Sequence, residues 1–193
     1  MLTESEKIAL LKSGDSFAFE SFVKEFQTKV YNTCLGIVQN TEDAEDLSQE
    51  VFILIYRSIK RFKGESSLST WVYRVTVTTA LDFLRRKKRK KRFAFLQSLF
   101  TNQGEEMKLP VSDFYHPRVR LENKERAVIL FKAIDQLSEN QKTAFILHKL
   151  EDLSYAEIAG VMNISLSSVE SLMFRAKQKL QGLLKNYYEE NEK

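Results

Sequence analysis

Residues 153–165 read LSYAEIAGVMNIS, and this stretch decides the fold. Ser154 followed by Glu157 is the pattern of a capping box, which predicts that a helix begins here. The helix is short, Asn163 suits a tight turn after it, and Ser165 can cap a second helix. A short helix, a turn and a serine-capped helix together predict a helix-turn-helix.

The second helix of this pair carries polar and basic side chains. Serine, glutamate and arginine can contact base edges in a major groove, and lysines behind them can contact phosphates. The residues predicted to meet DNA are Ser165, Ser167, Ser168, Glu170, Ser171, Arg175, Lys177 and Lys179. The alternative is an ordinary helical hairpin with a basic end.

Helical spacing of apolar residues also dominates the rest of the chain, and no stretch alternates as a strand would. Capping residues are predicted at Asn40 or Thr41, at Ser69 or Thr70, and at Ser138 with Gln141. The predicted helices cover residues 2–12, 16–38, 41–62, 71 onward, 121–137, and 165 to about 184.

The helical pattern breaks from Phe93 to about Arg120, and both prolines of the chain lie there. This length is typical of a linker between domains. We therefore predict an all-α protein of two helical domains joined by a flexible linker, the C-terminal domain being the helix-turn-helix. The predicted boundaries are 1–92 for the first domain, 93–121 for the linker, 122–187 for the second domain and 188–193 for a polar tail.

Eight consecutive bases, Arg85–Arg92, form the most concentrated charge in the chain. They continue an amphipathic segment that begins at Trp71 and follows a serine-rich loop. Backbone-binding charge beside aromatic rings is what single-stranded or melted nucleic acid requires. The alternatives for this run are a membrane-surface patch or a solvated spacer.

An acidic segment lies upstream, where Glu42, Asp46 and Glu50 recur every four residues and so share one helix face. Three interpretations are open: a carboxylate metal site, a solvated face, or a docking face for a basic partner protein. Metal sites in helical bundles usually include a Glu-x-x-His pair, and both histidines of this chain lie far off in sequence. Docking is favoured because apolar residues expected to be exposed adjoin the acids: Leu47, Phe52 and Ile53.

Composition narrows the functional classes to which the protein can belong. The formal net charge is +4, and the lone Cys34 excludes an intrachain disulfide or a cysteine-based zinc site. No run of eighteen apolar residues and no secretory signal pattern is found, so we expect a cytoplasmic protein without membrane insertion. Neither a nucleophilic grouping nor a phosphate-binding glycine loop is visible, so we expect no cofactor and no catalysis.

Four motifs in this order resemble the extracytoplasmic-function (ECF) group of bacterial sigma factors, small members of the sigma-70 superfamily. The motifs are residues 43–52 (DAEDLSQEVF), 71–75 (WVYRV), 82–86 (DFLRR) and the helix-turn-helix. The resemblance implies a non-catalytic subunit that binds core RNA polymerase, recognises the −10 and −35 promoter elements and helps to melt DNA.

The resemblance also implies partners and site residues. The helix around Asp46 would bind the clamp of the beta-prime subunit of core RNA polymerase, with the beta subunit as a further contact. The resemblance also implies an anti-sigma factor or another recruiting protein as an additional partner. The residues implied in polymerase binding are Asp43, Asp46, Leu47, Gln49, Glu50, Phe52, Ile53 and Tyr56.

By the same resemblance, the loop before Trp71 would pocket a base flipped out of the −10 element, and the helix after it would hold the melted strand. The residues implied are Lys63, Gly64, Ser66, Ser67, Ser69, Trp71, Arg74, Thr78, Arg85 and Arg86. The helix-turn-helix would read the −35 element. The chain departs from the family pattern at Thr78, where asparagine is frequent, and at Glu170 and Leu172, where basic residues are frequent.

Two other functional classes compete with the interpretation as a sigma factor. One is a stand-alone helix-turn-helix regulator with an N-terminal dimerisation or sensor domain, which would need neither a docking helix nor a melting loop. The other is a metal-dependent nuclease that uses Glu42, Asp46 and Glu50.

Overall fold

The computed structural model describes residues 3–101 and 124–191, and in these two ranges every regular element is helical. The elements are α1 (Glu4–Ser13), α2 (Ser16–Val38), α3 (Thr41–Ser58), a 3-10 turn (Ile59–Arg61), α4 (Leu68–Thr101), α5 (Lys124–Asp135), α6 (Glu139–Lys149), α7 (Tyr155–Met162) and α8 (Leu166–Asn191). The all-α prediction is confirmed. Residues 3–101 are called the N-terminal half below, and residues 124–191 the C-terminal half.

Side-chain caps fix where most of these helices begin. The side chain of Asn40 accepts from the backbone N–H of Asp43 at 2.8 Å, which starts α3. Ser138 and Ser154 each head a complete capping box, at α6 and α7 respectively. Each cap satisfies donors that the first turn of a helix leaves without a partner.

Some predicted helix limits are wrong. Helix α4 begins at Leu68, and its cap is Ser67, whose hydroxyl accepts from the N–H of Thr70 at 3.1 Å, so Ser69 and Thr70 are not the cap. It continues past Phe93 to Thr101, because no proline or glycine interrupts the chain before Gly104.

The C-terminal end of the chain is also more helical than predicted. Helix α8 runs past residue 184 and into the predicted polar tail, as far as Asn191. The predicted linker from residue 102 to 121 lies outside the described residues.

The N-terminal half is built from α2, α3 and α4, with α1 packed on α2. Leu35, Val51, Ile55 and Val72 are almost fully buried between these helices. Burial of an aliphatic side chain of this size contributes about 1.5–3 kcal/mol, so this packing contributes strongly to the stability of the half. It holds α3 and α4 side by side and leaves the outer face of α3 open.

The C-terminal half contains the predicted helix-turn-helix. Asn163 ends α7 in the left-handed conformation (φ 53°), and the N–H of Ile164 donates to the carbonyl of Ala159 at 3.1 Å. Ile158 and Val169, one from each helix of the motif, are fully buried against α6. This packing fixes the angle at which α8 leaves the turn.

The two halves are in direct contact, with α4 against α7 and α2 against α6. The helices approach closely at Gly36, where an added Cβ would lie 2.9 Å from Cγ2 of Ile146. A side chain at this position would require Ile146 to shift. Buried side chains of both halves belong to one continuous core.

Within the described ranges, no helix has the length and apolar character that crossing a membrane requires.

Candidate nucleic-acid and partner interfaces

The outer face of α3 combines acids with large apolar side chains. Asp46, Gln49 and Glu50 are exposed. Ile53 is 50% exposed and Tyr56 55% exposed. We call these five residues the α3 outer face. Exposed apolar groups rimmed by charge are typical of a surface that binds another protein.

Aromatic packing supports this face from below. The ring of Tyr56 meets the ring of Phe19 edge to face, with centroids 5.0 Å apart. Phe52 is half-buried against Phe22 at 6.3 Å. Phe52 is therefore less exposed than predicted, and its ring supports the residues around it by packing.

The expected exposure of Leu47 is wrong. Its side chain is 2% exposed and lies in the core with Ala44 and Val51. These positions are three and four residues apart, so they form the inward stripe of α3. Leu47 can position the outer face but cannot touch a partner in this conformation.

The acidic residues of α3 also face the basic run of α4. Asp43 pairs with Lys87 at 2.5 Å, and Glu50 lies 3.9 Å from Arg86.

Within the described residues, no cluster of three or more histidine, cysteine, aspartate or glutamate side chains could hold a metal ion.

The loop before α4 carries the next group of predicted residues. Gly64 adopts a left-handed conformation (φ 76°), which a side chain would disfavour. Glu4 of α1 accepts from the backbone N–H of Leu68 at 2.7 Å and anchors the end of the loop. The other predicted residues here, Lys63, Ser66, Ser67 and Ser69, are exposed or half-exposed.

Trp71 stands at the start of α4, half-buried against Phe62 with ring centroids 5.1 Å apart. Arg74 and Thr78 follow at helical spacing, and Thr78 is exposed. Positions 71, 74, 78 and 85 recur every three to seven residues, so they form one stripe along α4. The structure thus brings most of the predicted −10 residues together.

Part of this stripe is covered by the C-terminal half. Arg74 donates from Nη2 to the carbonyl of Gly160 at 2.6 Å, and its neighbour Tyr73 donates to Glu151 at 3.0 Å. Arg85 lies 3.5 Å from Glu139 of α6. Sequence patterns alone did not indicate these contacts.

A basic cleft of about 730 Å³ runs between α4 and the start of α6. Glu139, one of the two acids in its lining, lies 3.0 Å from Lys88. The hydrogen bond from Lys88 holds the pKa of Glu139 below its usual value, so the carboxylate is charged at neutral pH. The cleft is lined by Asp82, Arg85, Arg86, Lys88, Arg89, Arg92 and Glu139.

The predicted −35 residues lie on the exposed side of α8. The hydroxyl of Ser165 accepts from the N–H of Ser168 at 3.2 Å and caps the helix. A groove of about 360 Å³ separates α8 from the start of α6. Its lining includes Ser167, Ser168, Ser171 and Arg175, with Asn140, Ile164 and Leu172.

The remaining predicted residues of α8 lie beside this groove. Glu170 and Lys177 are exposed on an adjoining stripe. Lys179 is exposed, but its ammonium group donates to the carbonyl of Gln136, at the end of α5. Lys179 is therefore occupied in holding α5 against α8.

Phe174 is a surface residue that the sequence reasoning missed. It is 63% exposed on α8, between Glu170 and Lys177 on the same stripe. An aromatic residue four positions after a polar one on the outward face of a predicted recognition helix is the feature that could have identified it.

Comparison with known proteins identifies the family. Residues 22–90 match the model of sigma-70 region 2, and residues 127–180 match that of sigma-70 region 4. Over 94% of its length the chain is 33% identical to the ECF RNA polymerase sigma-E factor of Haemophilus influenzae, of which it covers 95%. The chain belongs to the ECF sigma factors.

Other members of the family are similar over comparable lengths. The sigma-H factor of Pseudomonas aeruginosa is 30% identical, with 95% of this chain and 96% of the relative covered. The sigma-E factor of Escherichia coli K12 is 30% identical, with 92% of each covered.

Solved structures share the fold. The sigma factor RpoE in complex with the anti-sigma factor NepR, from Bartonella quintana, matches with a TM-score of 0.64 at 20% identity, over 86% of this chain and 96% of that one. CnrH in complex with the cytosolic domain of CnrY matches with a TM-score of 0.62 at 19% identity, over 93% and 96%.

Membership of this family settles the functional class. The protein is an RNA polymerase sigma factor, a non-catalytic subunit that initiates transcription through promoter recognition by regions 2 and 4. The two competing interpretations, a stand-alone regulator and a metal-dependent nuclease, are thereby set aside.

Proposed function

We propose that this sigma factor docks on core RNA polymerase through the α3 outer face, holds the −10 strand along α4 and its preceding loop, and reads the −35 element with α8. The observation that carries the proposal is the exposure of Ile53 and Tyr56 beside three polar or acidic residues on a helix whose other face is fully buried.

The docking step is expected to combine charge with apolar burial. Asp46 and Glu50 attract a basic partner surface, which speeds association and sets orientation. Ile53 and Tyr56 then lose their water, and large side chains of this kind contribute most of the affinity at protein interfaces. Leu47 supports them from the core, and Asp43 lies at the rim, already paired with Lys87.

For the −10 element, the loop around Gly64 supplies a backbone turn with small polar side chains that suit a flipped base. Unstacking a base costs a few kcal/mol. Stacking of a base on an aromatic ring contributes about 1–3 kcal/mol. The ring of Trp71, held in place by its packing on Phe62, can provide this stacking. Arg74, Arg85 and Arg86 would neutralise phosphates of the held strand, while Thr78 offers a hydroxyl and a methyl to a base.

For the −35 element, Ser168, Ser171 and Arg175 line one groove and can read base edges. Arg175 suits the paired acceptors of guanine, and Glu170 can accept from the amino group of cytosine. Phe174 offers an apolar contact to a thymine methyl. Lys177 is placed for a phosphate.

Regulation by a partner protein is a further part of the proposal. The structurally similar RpoE was solved with the anti-sigma factor NepR. We infer that an anti-sigma factor or a recruiting protein acts on this chain as well. We also infer that it works in the cytoplasm, where bacterial promoter DNA and polymerase meet.

The proposal is tested by reconstitution. Purified protein is mixed with core RNA polymerase of its host, and run-off transcription is measured on genomic fragments. We expect core-dependent transcripts that start at discrete sites sharing two sequence elements. Duplex DNA binding without any association with core would contradict the proposal.

A further inference from the structure

We propose that the basic cleft beside α4 binds a linear chain of three or more linked phosphates, such as inorganic polyphosphate. This site is distinct from the α3 outer face and from the groove beside α8. Three observations carry the proposal: the spacing of the cations, the acid that the cleft already holds, and the chemistry of its lining.

The cations of the cleft lie in a row along α4. Arg85, Lys88, Arg89 and Arg92 all line it, and they are three or four residues apart in sequence. On a helix such residues share one face, with neighbouring β carbons about 5–6 Å apart. The row covers about 10 Å of the helix axis. Evenly spaced cations of this kind match a ligand whose negative groups also follow one another along a line.

Positive charge is in excess in the cleft. Its lining contains five cations and two acids. A concave surface lined mainly by one sign of charge concentrates the electric field and attracts ions of the opposite sign. Four of the five cations are arginines, whose planar guanidinium groups can donate two parallel hydrogen bonds to one phosphate.

The carboxylate of Glu139 shows that the row can hold an oxyanion. It lies 3.0 Å from Lys88 and 3.5 Å from Arg85. The hydrogen bond from Lys88 holds the pKa of Glu139 below its usual value. The first part of the row therefore already binds one negatively charged group of this protein.

The second part of the row is open. Arg85 pairs with Asp82 at 3.2 Å, and Arg86 lies 3.9 Å from Glu50. Among the residues that the structure describes, no acid forms an ion pair with Arg89 or Arg92, and both side chains are exposed. A phosphate can bind there without displacing a carboxylate.

The lining favours a phosphate chain over a nucleotide. Every side chain that lines the cleft is charged, and none is aromatic or aliphatic. A base is usually held by stacking on an aromatic ring or by an apolar pocket, and this cleft offers neither. Its volume of about 730 Å³ is within the range of small-molecule sites. The phosphates themselves are therefore the groups that the cleft recognises.

A bound phosphate chain would also affect promoter binding. Arg85 and Arg86 are assigned above to the −10 strand, so the ligand and the strand would compete for the same two side chains. This consequence rests on the proposed function, whereas the binding of the phosphate chain does not.

Isothermal titration calorimetry of the full chain tests the site, with sodium tripolyphosphate as the probe, at physiological ionic strength and with a chelator of divalent cations. We expect one tripolyphosphate per protein, bound at least about tenfold more tightly than orthophosphate. Equal affinities for the two would indicate an adventitious ion only and would overturn the proposal. Binding of ATP tenfold more tightly than tripolyphosphate would identify a nucleotide site and would also overturn it.

A pair of double variants locates the site. We expect Arg89→Gln with Arg92→Gln to weaken tripolyphosphate binding at least about tenfold, because each change removes a guanidinium that has no other ionic partner. Arg57→Gln with Arg61→Gln is the matched control, since it removes two exposed arginines at the end of α3 and in the turn after it. An equal loss in both double variants would show a response to net charge alone and would overturn the assignment.

A third variant is expected to gain affinity, which a loss of folding cannot imitate. Glu139→Gln removes the negative charge beside Lys88 and should strengthen tripolyphosphate binding about two- to fivefold. Glu20→Gln, which removes a carboxylate from an exposed pair on α2, is its control. Equal affinities of these two variants would place the ligand away from the cleft.

Competition tests the consequence for the promoter. A fluorescein-labelled single strand carrying the −10 sequence is bound to the protein without polymerase, and tripolyphosphate is added. We expect release of the strand over the concentration range in which calorimetry finds binding. A strand that stays bound at saturating tripolyphosphate would overturn the competition. A strand that never binds would instead count against the proposed function, and the calorimetric result would still decide the phosphate site.

Discussion

Trp71 illustrates what a single residue contributes on this surface. Its ring packs on Phe62 and is half-exposed at the start of α4. Family resemblance predicted its role and helical spacing placed it on the stripe, but only the structure shows the ring beneath it. At the residue scale, identity could be predicted from sequence, whereas burial could not. Leu47 is a second example. The spacing of apolar residues in α3 did not show which face of the helix is buried, because that depends on the neighbouring helices.

A substitution tests the role of Trp71. We expect Trp71→Ala to slow promoter opening about fivefold or more, because the lost stacking is worth about 1–3 kcal/mol. Closed-complex affinity should change little. Permanganate reactivity of melted thymines and filter binding measure the two steps separately.

Phe17→Ala is the control for that change, because it removes an aromatic ring from another surface. Phe17 lies on α2 and is 81% exposed. Equal loss of binding and opening in the Trp71 variant would contradict a melting role.

Two basic residues of α8 are expected to behave differently. Arg175 lines the groove and Lys177 lies outside it. Arg175→Ala should cost about 1–3 kcal/mol on the preferred −35 sequence and relax specificity at one position. Lys177→Ala should weaken binding to all sequences alike and reduce the dependence on salt. Binding to a panel of −35 variants distinguishes the two, and matching profiles would refute the assignment.

At the scale of the element, helix starts were predictable because a cap is a local pattern. The capping boxes at Ser138 and Ser154 were identified from residues three positions apart, and both are present. Helix ends were less predictable. Nothing local in the sequence stops α4 at Phe93, so it continues to Thr101.

The capping box of α7 gives the helix-turn-helix a dependence on acid. Hydrogen bonds from Ser154 hold the pKa of Glu157 below the ordinary value of a glutamate side chain. A carboxyl whose pKa is lowered in the folded state stabilises that state above its unfolded pKa, and the contribution is lost as pH falls through the lower, folded value. We expect the wild type to lose stability more steeply than Glu157→Gln on acidification below about pH 4.5. Urea unfolding followed by circular dichroism checks this, and parallel curves would refute it.

Ser154→Ala tests the other half of the same box. The free energy of unfolding should fall by about 1 kcal/mol at neutral pH, because a donor in the first turn of α7 loses its partner. Thermal unfolding measures the change. An unchanged midpoint would show that α7 is held by packing alone.

At the scale of the whole molecule, the sequence predicted two helical halves but not how they meet. The hydrogen bond between Tyr73 and Glu151 joins residues 78 positions apart. Periodicity and caps carry no information about which surfaces of separate domains pack together. The contact that covers Arg74 is therefore visible only in the structure.

The charge in that contact can be tested separately from its packing. We expect Glu139→Gln to raise the affinity of the free protein for a single-stranded oligonucleotide about two- to fivefold, since partly exposed ion pairs are worth about 0.2–1 kcal/mol each. Glu20→Gln removes the same charge from an exposed pair with Lys24 on α2 and serves as the control. Equal affinity of the two variants would show that Glu139 does not compete with DNA for Lys88 and Arg85.

The central claim is that the α3 outer face binds core RNA polymerase, and the most direct measurement is the affinity of labelled protein for core. We predict that Asp46→Arg with Glu50→Arg weakens binding at least about a hundredfold, because two favourable charges become repulsive at a desolvated interface. The helical content of the variant should not change. Glu20→Arg with Glu25→Arg, the same charge change on α2, should bind as the wild type does. Undiminished affinity of the α3 variant would contradict the account.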